Sequence, residues 1–320
     1  MKESKESKVE RDEKISRRGF IGAAAAIALS AAAARGQQSQ PAPAKKGFKL
    51  RYAPSLGQFS AHAGKDPMDQ LQFIADEGFR GVFDNNFMGK SPEQQEAIAK
   101  KAESLGLLIG PFIACKGFDK PTFAINDSKD SSIRDMLVAD IKKAGEVRKR
   151  TGAKWGLVVP GTYDMKLQWD YQTANVIENL KYCADACAAS GLIMVIEPLN
   201  NLVDHPGLFL TRIPQAYQIC RAVNSPYCKI NNDLYHQQIT EGNLIRNIDA
   251  AWTEIAAFHI GDNPGRKEPG TGEINYKNVF KHIHSKGYDG VLCMEHRASL
   301  GKGKEAERAV INAYRACDEF

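Results

Sequence analysis

Residues 190–198 read Ser-Gly-Leu-Ile-Met-Val-Ile-Glu-Pro, and this stretch decides how the rest of the chain is interpreted. A helix-like pattern ends at Ser190, and Gly191 follows in the position that glycine favours after a helix. An apolar run then extends from Leu192 to Ile196, which is typical of a strand buried on both faces of a parallel sheet. Glu197 follows the run directly. The stretch therefore predicts a helix–strand unit with a carboxylate at the carboxyl end of the strand.

The same unit repeats along the chain. The predicted strands are Leu50–Ser55, Gly81–Asp84, Leu107–Ala114, Trp155–Pro160, Leu192–Glu197, Lys229–Asp233, Ala256–Gly261 and Val291–Glu295. The helical patterns are Pro67–Glu77, Pro92–Leu105, Ser132–Arg150, Tyr171–Ser190, Pro214–Val223, Leu244–Ala250, Tyr276–Ser285 and Lys304–Cys317. Eight such units predict an α/β fold, a single-domain (β/α)8 TIM barrel, for which ~250 residues are typical. A doubly wound open sheet is the alternative, but residues 56–59, Leu-Gly-Gln-Phe, are not the glycine-rich turn it requires.

The composition is that of a globular protein. The 320 residues are 43% hydrophobic and 25% charged, with a formal net charge of +5. A charge of this size is too small to indicate a nucleic-acid-binding surface, so we expect no nucleic acid as a partner. The 7 cysteines are scattered, odd in number and without a Cys-x-x-Cys motif, so they do not indicate a disulfide framework.

The N-terminal residues have the organisation of an export signal: a charged region, a short apolar run and then polar residues. Residues 16–20 read Ser-Arg-Arg-Gly-Phe, and the alanine-rich run that follows ends at Ala34, short of the ~20 residues that span a membrane. The paired arginines resemble the twin-arginine signal. The resemblance implies the twin-arginine translocation machinery as a partner and a periplasmic or other extracytoplasmic location. The alternatives are an uncleaved anchor and a disordered basic tail.

This interpretation divides the chain into three parts. Residues 1–34 are the predicted signal peptide, residues 35–47 a polar linker, and residues 48–320 the barrel.

Four consecutive strands of the predicted barrel end in residues that bind metals. Glu197 follows the fifth strand, Asp233 ends the sixth, His259 lies in the seventh and Glu295 ends the eighth. The active site of a TIM barrel lies at the carboxyl ends of its strands, so we expect these side chains to meet at one rim. Three carboxylates and one imidazole suit one divalent cation, Mn²⁺, Mg²⁺, Co²⁺ or Zn²⁺.

Three segments near the ends of the predicted strands carry a more specific pattern. Residues 197–200 read Glu-Pro-Leu-Asn and residues 233–236 read Asp-Leu-Tyr-His. Residues 259–276 read His-Ile-Gly-Asp-Asn-Pro-Gly-Arg-Lys-Glu-Pro-Gly-Thr-Gly-Glu-Ile-Asn-Tyr. These segments resemble the hydroxypyruvate isomerase family of xylose isomerase-like TIM barrels, which has ketose 3-epimerases among its relatives. The third segment is the most specific of the three, and the whole resemblance extends from about residue 51 to residue 295.

The resemblance implies a role for each matching residue. Glu197 and Glu295 are implied as catalytic proton-transfer groups that also bind the metal, and Asp233 and His259 as the other ligands. The residues implied in substrate binding are Asn200, Asp204, His236 and Arg266. The chain departs from the family at Phe83, which stands where the family has a glutamate after the second strand, and at His259, where some members have glutamine.

The predicted activity is the isomerisation of a sugar or keto acid, of the hydroxypyruvate isomerase type, through an enediolate. Arg266 is the candidate partner for a substrate carboxylate. The alternatives are a sugar 3-epimerase, a periplasmic lyase acting on an oxidised sugar, and a non-catalytic exported carbohydrate-binding protein. The sequence neither requires nor excludes the formation of a homo-oligomer.

Overall fold

Parallel strands and helices alternate in a computed structural model that describes residues 47–127 and 129–320. Its strands are β1 (Tyr52–Pro54), β2 (Gly81–Val82), β3 (Leu108–Ile109), β4 (Phe112–Lys116), β5 (Trp155–Val159), β6 (Ile193–Ile196), β7 (Cys228–Asp233), β8 (Ile255–His259) and β9 (Leu292–Met294). Its α-helices are α1 (Ser60–Ala63), α2 (Pro67–Asp76), α3 (Pro92–Ser104), α4 (Ser132–Thr151), α5 (Trp169–Ala188), α6 (Ile213–Val223), α7 (Leu234–Thr240), α8 (Leu244–Ala251), α9 (Tyr276–Ser285) and α10 (Lys304–Asp318).

The strands form a closed ring. Seven of them hydrogen-bond in the order β1-β9-β8-β7-β6-β5-β4, and β2 pairs with β3. At one junction between the two sheets, the Phe83 N–H donates to Pro54 O at 3.1 Å and the Leu56 N–H donates to Phe83 O at 2.8 Å. At the other, the Ile113 N–H donates to Asn85 O at 3.2 Å. The ring of parallel strands confirms the predicted TIM barrel.

The third predicted strand, Leu107–Ala114, is two strands in the structure. β3 pairs with β2 and β4 pairs with β5, and the break falls at Gly110 and Pro111. Pro111 has no N–H to donate to a neighbouring strand. A Cβ atom on Gly110 would lie 2.8 Å from Cys293 Sγ and 2.9 Å from Phe83 Cβ, so only glycine fits where the chain bends towards the barrel interior.

Two apolar layers hold the barrel together. The larger lies between the strands and the surrounding helices. The smaller fills the barrel interior and consists of Ala53, Phe83, Trp155, Leu157, Val195, Val291 and Cys293. These interior residues sit at alternate strand positions, as the period of two in a strand requires. The polar residues that follow on the same face of each strand therefore point into the ring.

Local sequence signals explain where the main helices begin. The Asp66 side chain accepts from the Met68 N–H at 2.8 Å before α2. Ser91 and Gln94 form a reciprocal capping box before α3. The short helices α1 and α7 were not predicted, because 4 and 7 residues are too few to show a helical period.

The cysteines behave as core residues. All are free thiols, and each is buried except Cys317, which is half-buried. Burial raises the pKa of Cys115 and that of Cys187 to about 12.

The predicted signal peptide, residues 1–34, and nearly all of the linker lie outside the described residues. The export signal and the domain boundaries therefore stay predictions. Within the described part of the chain, none of the helices combines the length and apolar character that crossing a membrane requires.

Candidate active site

Four neighbouring strands deliver the four predicted metal ligands to one place. Glu197 follows β6, Asp233 ends β7, His259 ends β8 and Glu295 follows β9. Glu197 lies two positions after the interior residue Val195, so its side chain points into the ring. One ligand atom from each of the four residues lies within 4.8 Å of the others. The structure thus brings the predicted ligand set together.

An imidazole nitrogen joins two of the carboxylates. His259 Nδ1 lies 2.8 Å from Glu197 Oε1 and 2.9 Å from Glu295 Oε2. Two side-chain amides fix the carboxylates: Asn231 Nδ2 donates to Glu197 Oε1 at 2.7 Å, and Asn85 Nδ2 donates to Glu295 Oε1 at 2.6 Å. Both glutamates are therefore oriented before any substrate arrives.

Burial and mutual contact set the charges of this cluster. Burial disfavours the imidazolium of His259, but Glu295 and Glu197 outweigh it and hold the pKa of His259 well above its usual value. Burial also opposes ionisation of Glu295, but His259 and Arg266 lower its pKa on balance. For Asp233, burial is the larger effect and raises the pKa, although Arg266 opposes it. The cluster gathers more acidic groups than its nearby cations neutralise.

The donor set fits a divalent cation. Three carboxylates and one imidazole are hard oxygen and nitrogen ligands, and the four donor atoms are close enough to surround one ion. Glu197 and Asp233 are buried, so a cation at this position would favour the ionised form of both carboxylates.

His236 lies beside this cluster as a neutral hydrogen-bond donor. Its Nδ1 accepts from the Asn200 backbone N–H at 3.3 Å and lies 2.6 Å from Asn200 Nδ2. The proton therefore sits on Nε2, which lies 3.6 Å from Asp233 Oδ2 and has no hydrogen-bond partner among the described residues. Burial lowers the pKa of His236 to about 3, so the ring stays uncharged near neutral pH. Asn200 Nδ2 also donates to Asp204 Oδ2 at 2.7 Å, which ties that predicted residue to the group.

Arg266 reaches over the cluster from the loop after β8. Its Nη2 lies 2.7 Å from Glu295 Oε2 and 3.2 Å from Asp233 Oδ2. Its guanidinium carbon lies 5.0 Å from the centre of the Tyr235 ring, a cation–π contact. The backbone of Arg266 has φ 51°, in the left-handed region that side chains other than glycine seldom adopt. The loop therefore holds this residue in an otherwise unfavourable conformation.

Asp262 is the residue that folds this loop. Its Oδ1 accepts from the backbone N–H of Asn263 at 2.9 Å and of Ile274 at 3.1 Å. Its Oδ2 accepts from the backbone N–H of Gly270 at 2.8 Å and of Gly272 at 2.9 Å. One buried carboxylate thus holds both ends of the segment that carries Arg266 by hydrogen bonds to their backbone N–H groups.

Replacement of Asp262 by alanine should destabilise the protein by about 3 kcal/mol, since four backbone N–H groups would lose the carboxylate that accepts from them. Urea denaturation measures this change. The KM for substrate should rise as well, because Arg266 would lose its support. Glu273→Ala is the matched control, because this exposed acid lies in the same loop and its Oε1 accepts only from side chains. A destabilisation no larger than that of the control would contradict the role given to Asp262.

A cavity of about 580 Å³ opens above the cluster. Its lining residues are Val203, Asp204, Tyr235, Gly265, Arg266, Lys267, Glu295, His296 and Arg297. This volume is within the usual range for small-molecule sites. The predicted residues Asp204, Arg266 and Glu295 therefore share one space that admits a substrate.

Three residues of the site were missed from the sequence. Asn85 and Asn231 orient the glutamates, and Asp262 folds the Arg266 loop. For Asn231, the signal available was its position two residues before Asp233 on the same face of a strand. Nothing in the local sequence around Asn85 distinguishes it from an ordinary turn residue.

A protein-family model described as "Xylose isomerase-like TIM barrel" matches residues 71–317 of the chain. The chain belongs to the xylose isomerase-like TIM barrel family. Its membership agrees with the closed ring of strands and with the position of the ligand cluster at their carboxyl ends.

Curated relatives include two kinds of isomerase. The chain is 28% identical over 256 residues to the 2-oxo-tetronate isomerase of Cupriavidus necator, an alignment that covers 78% of this chain and 94% of that enzyme. It is 39% identical over 124 residues to the hydroxypyruvate isomerase of Escherichia coli, covering 39% of this chain and only 48% of that enzyme. These names confirm the prediction of an isomerase-type enzyme.

Solved structures with the same fold include the D-psicose 3-epimerase of Clostridium cellulolyticum bound to D-tagatose. The TM-score is 0.68 at 17% sequence identity, and the alignment covers 84% of this chain and 98% of that one. At this identity the similarity establishes the fold alone.

Proposed function

We propose that this protein is a metal-dependent isomerase of short 2-oxo acids that carry a hydroxyl group on the carbon next to the carbonyl. The proposal rests on one observation. The carboxylates of Glu197 and Glu295 both contact one nitrogen of His259 inside the ligand cluster, so two candidate proton-transfer groups lie close together. Hydroxypyruvate and its four-carbon counterpart 2-oxo-tetronate are the candidate substrates. The long alignment to a 2-oxo-tetronate isomerase favours testing the second as fully as the first.

Glu197, Asp233, His259 and Glu295 would hold one divalent cation, with Mn²⁺, Mg²⁺, Co²⁺ and Zn²⁺ as the candidates. When bound, the cation supplies Lewis-acid polarisation of the substrate's carbonyl oxygen. The side chains of the protein supply the proton transfers.

One glutamate removes the proton from C3 of hydroxypyruvate. The electron pair of that C–H bond forms the C2–C3 double bond of an enediolate, and the C2 carbonyl oxygen gains the negative charge. The other glutamate, in its protonated form, delivers a proton to C2. The C3 hydroxyl becomes the new carbonyl as its proton passes to the oxygen on C2, giving tartronate semialdehyde. Positioned acids and bases of this kind contribute on the order of 10²–10⁴-fold in rate.

His236 supports the same proton transfer by donating a hydrogen bond to the substrate oxygen that becomes negatively charged. Its Nε2 proton has no partner among the described residues, and the ring is neutral and fixed by Asn200. A donor held in place in a buried site stabilises an oxyanion as the charge develops, without reorganising. We therefore assign His236 to a substrate oxygen, as the resemblance implied.

The proposed function is tested by incubating purified, metal-loaded protein in deuterated water with hydroxypyruvate, 2-oxo-tetronate and a panel of neutral ketoses and 3-keto sugars. We expect the 2-oxo acids to isomerise and solvent deuterium to enter at the reacting carbons. Exchange and turnover with the neutral sugars alone would reject the proposal in favour of an epimerase. Binding of sugars without exchange would indicate the carbohydrate-binding alternative.

We also propose that the protein is exported by the twin-arginine route, on the strength of the pair Arg17 and Arg18 before a short apolar run. Replacing both arginines with lysine should leave the full-length protein in the cytoplasm, since the lysine pair keeps the charge but removes the recognised motif. Cell fractionation followed by immunoblotting measures this. Arg11→Lys with Lys14→Arg is the matched control. Undiminished export of the double-lysine variant would exclude the twin-arginine route.

A further inference from the structure

One wall of the active-site cavity is positively charged. Arg266, Lys267 and Arg297 all line the cavity. Lys267 follows Arg266 directly in the chain, and the Arg297 backbone N–H donates to Arg266 O at 3.1 Å. The backbone of the folded loop therefore places three cationic residues side by side.

Among the residues that the structure describes, Arg266 is the one cation of the three that pairs with acids. Arg266 pairs with Glu295 and Asp233 through Nη2. The other acid of the cavity wall, Asp204, accepts from Asn200 Nδ2. Within residues 47–127 and 129–320, the side chains of Lys267 and Arg297 make no ion pair with a carboxylate. Lys267 is half-buried and Arg297 is exposed, and both residues line the cavity.

We propose that Lys267 and Arg297 form an anion subsite that binds the carboxylate of the substrate. Adjacent cations without a counter-charge repel each other, and an anion placed between them relieves that repulsion. The guanidinium group of Arg297 offers parallel donors that match the two oxygens of a carboxylate, and Lys267 adds a point charge beside it.

The cationic residues of the cavity wall have different roles. Because Nη2 of Arg266 is directed at Glu295 and Asp233, this arginine faces the reacting centre, whereas Lys267 and Arg297 line the same cavity without an ion pair to either carboxylate among the described residues. A 2-oxo acid then extends from the glutamates to the anion subsite. A neutral ketose has no group for the subsite, so these two residues determine the choice of a keto acid over a sugar. This inference rests on the proposed function, because it assigns the substrate's charged end.

The test uses D-glycerate, an unreactive hydroxy acid, as the probe in calorimetric titrations of the metal-loaded, full-length protein. Lys267→Gln and Arg297→Gln should each weaken glycerate binding about tenfold, and the double variant about 100-fold, since each removes one charge-assisted contact. KM for hydroxypyruvate should rise by similar factors while kcat changes less than threefold. Lys302→Gln with Lys304→Gln is the matched control, because it removes two charges between β9 and the first residue of α10 that do not line the cavity.

Two results would overturn the subsite: no binding of glycerate to the wild-type protein, or equal glycerate affinity in the double variant and the double control. The second result together with turnover of hydroxypyruvate would leave the proposed function standing and would assign the carboxylate to Arg266 alone. Failure of every 2-oxo acid to react, with glycerate binding still dependent on Lys267 and Arg297, would reject the proposed function while retaining the subsite.

Discussion

Glu197→Gln and Glu295→Gln should each lower kcat at least about 100-fold, which corresponds to about 2.7 kcal/mol of transition-state stabilisation. Glutamine keeps the shape of the side chain and one oxygen for the metal, but it does not accept a proton near neutral pH. The contacts of each glutamate with His259 place it in the candidate ligand cluster, and the proposed mechanism makes it a proton carrier as well. Steady-state kinetics at saturating metal, with the metal content of each preparation measured, separates the two roles.

Solvent deuterium exchange is a second measurement on the two glutamine variants. If one glutamate serves C2 and the other serves C3, one variant should still exchange solvent deuterium at a single carbon without completing the isomerisation. Glu273→Gln is the control, since the side chain of this exposed acid accepts hydrogen bonds from Gln238 and Asn263, away from the ligand cluster, and the variant should keep wild-type turnover. Near wild-type kcat in both glutamine variants, with metal bound, would reject the mechanism with two glutamates.

His259→Ala should weaken metal binding at least about 100-fold, because removing a direct ligand exceeds the 10–100-fold loss typical of removing a residue that only orients one. Elemental analysis after dialysis against a buffered metal solution measures occupancy, and circular dichroism checks the fold. Asp233→Ala should lose the metal too, but Asp233 Oδ1 also accepts from the N–H groups of Tyr235 and His236 at the start of α7. Loss of this cap costs about 1 kcal/mol, so the histidine variant is the cleaner test.

His282→Ala is the matched control for metal binding. His282 lies on α9 and contacts Asp249 at 2.9 Å, away from the ligand cluster. Full metal occupancy in this variant and loss in His259→Ala is the expected pair of results. Full occupancy in both His259→Ala and Asp233→Ala would show that the four-residue cluster is not the metal site.

The sequence predicts most of the barrel because one rule governs every repeat. An apolar run bounded by glycine and followed by a polar residue predicts a buried parallel strand, and all parallel strands of a barrel present their carboxyl ends at one rim. That rule alone brings Glu197, Asp233, His259 and Glu295 to the same edge, as the structure shows. The predicted helix bounds hold to within a few residues wherever a cap such as Ser91 marks the start.

Features that depend on distant contacts were not predictable in the same way. The break in the third predicted strand has a local cause in Pro111, but the lack of room for a side chain at Gly110 comes from Cys293, which is distant in the sequence. The amide of Asn85 contacts Glu295 from a strand end on the other side of β1, and nothing near either residue in the sequence predicts the contact. The conformation of Arg266 depends on the four backbone N–H groups that Asp262 gathers, so its orientation follows from the folded loop rather than from its neighbours in the chain.

The pairing of β9 with β1 closes the ring of strands, and Glu295 follows β9 directly. The four candidate ligands come from β6, β7, β8 and β9, which are consecutive neighbours in the sheet, so the ligand cluster is complete only once β9 has paired with β8. An ion that binds only this assembled group of strands would stabilise it by mass action, by about 4 kcal/mol at a free concentration one thousand times its dissociation constant. Metal binding and the assembly of the C-terminal strands would in this way be one thermodynamic equilibrium, in which the ion holds the last strand of the chain to its three predecessors.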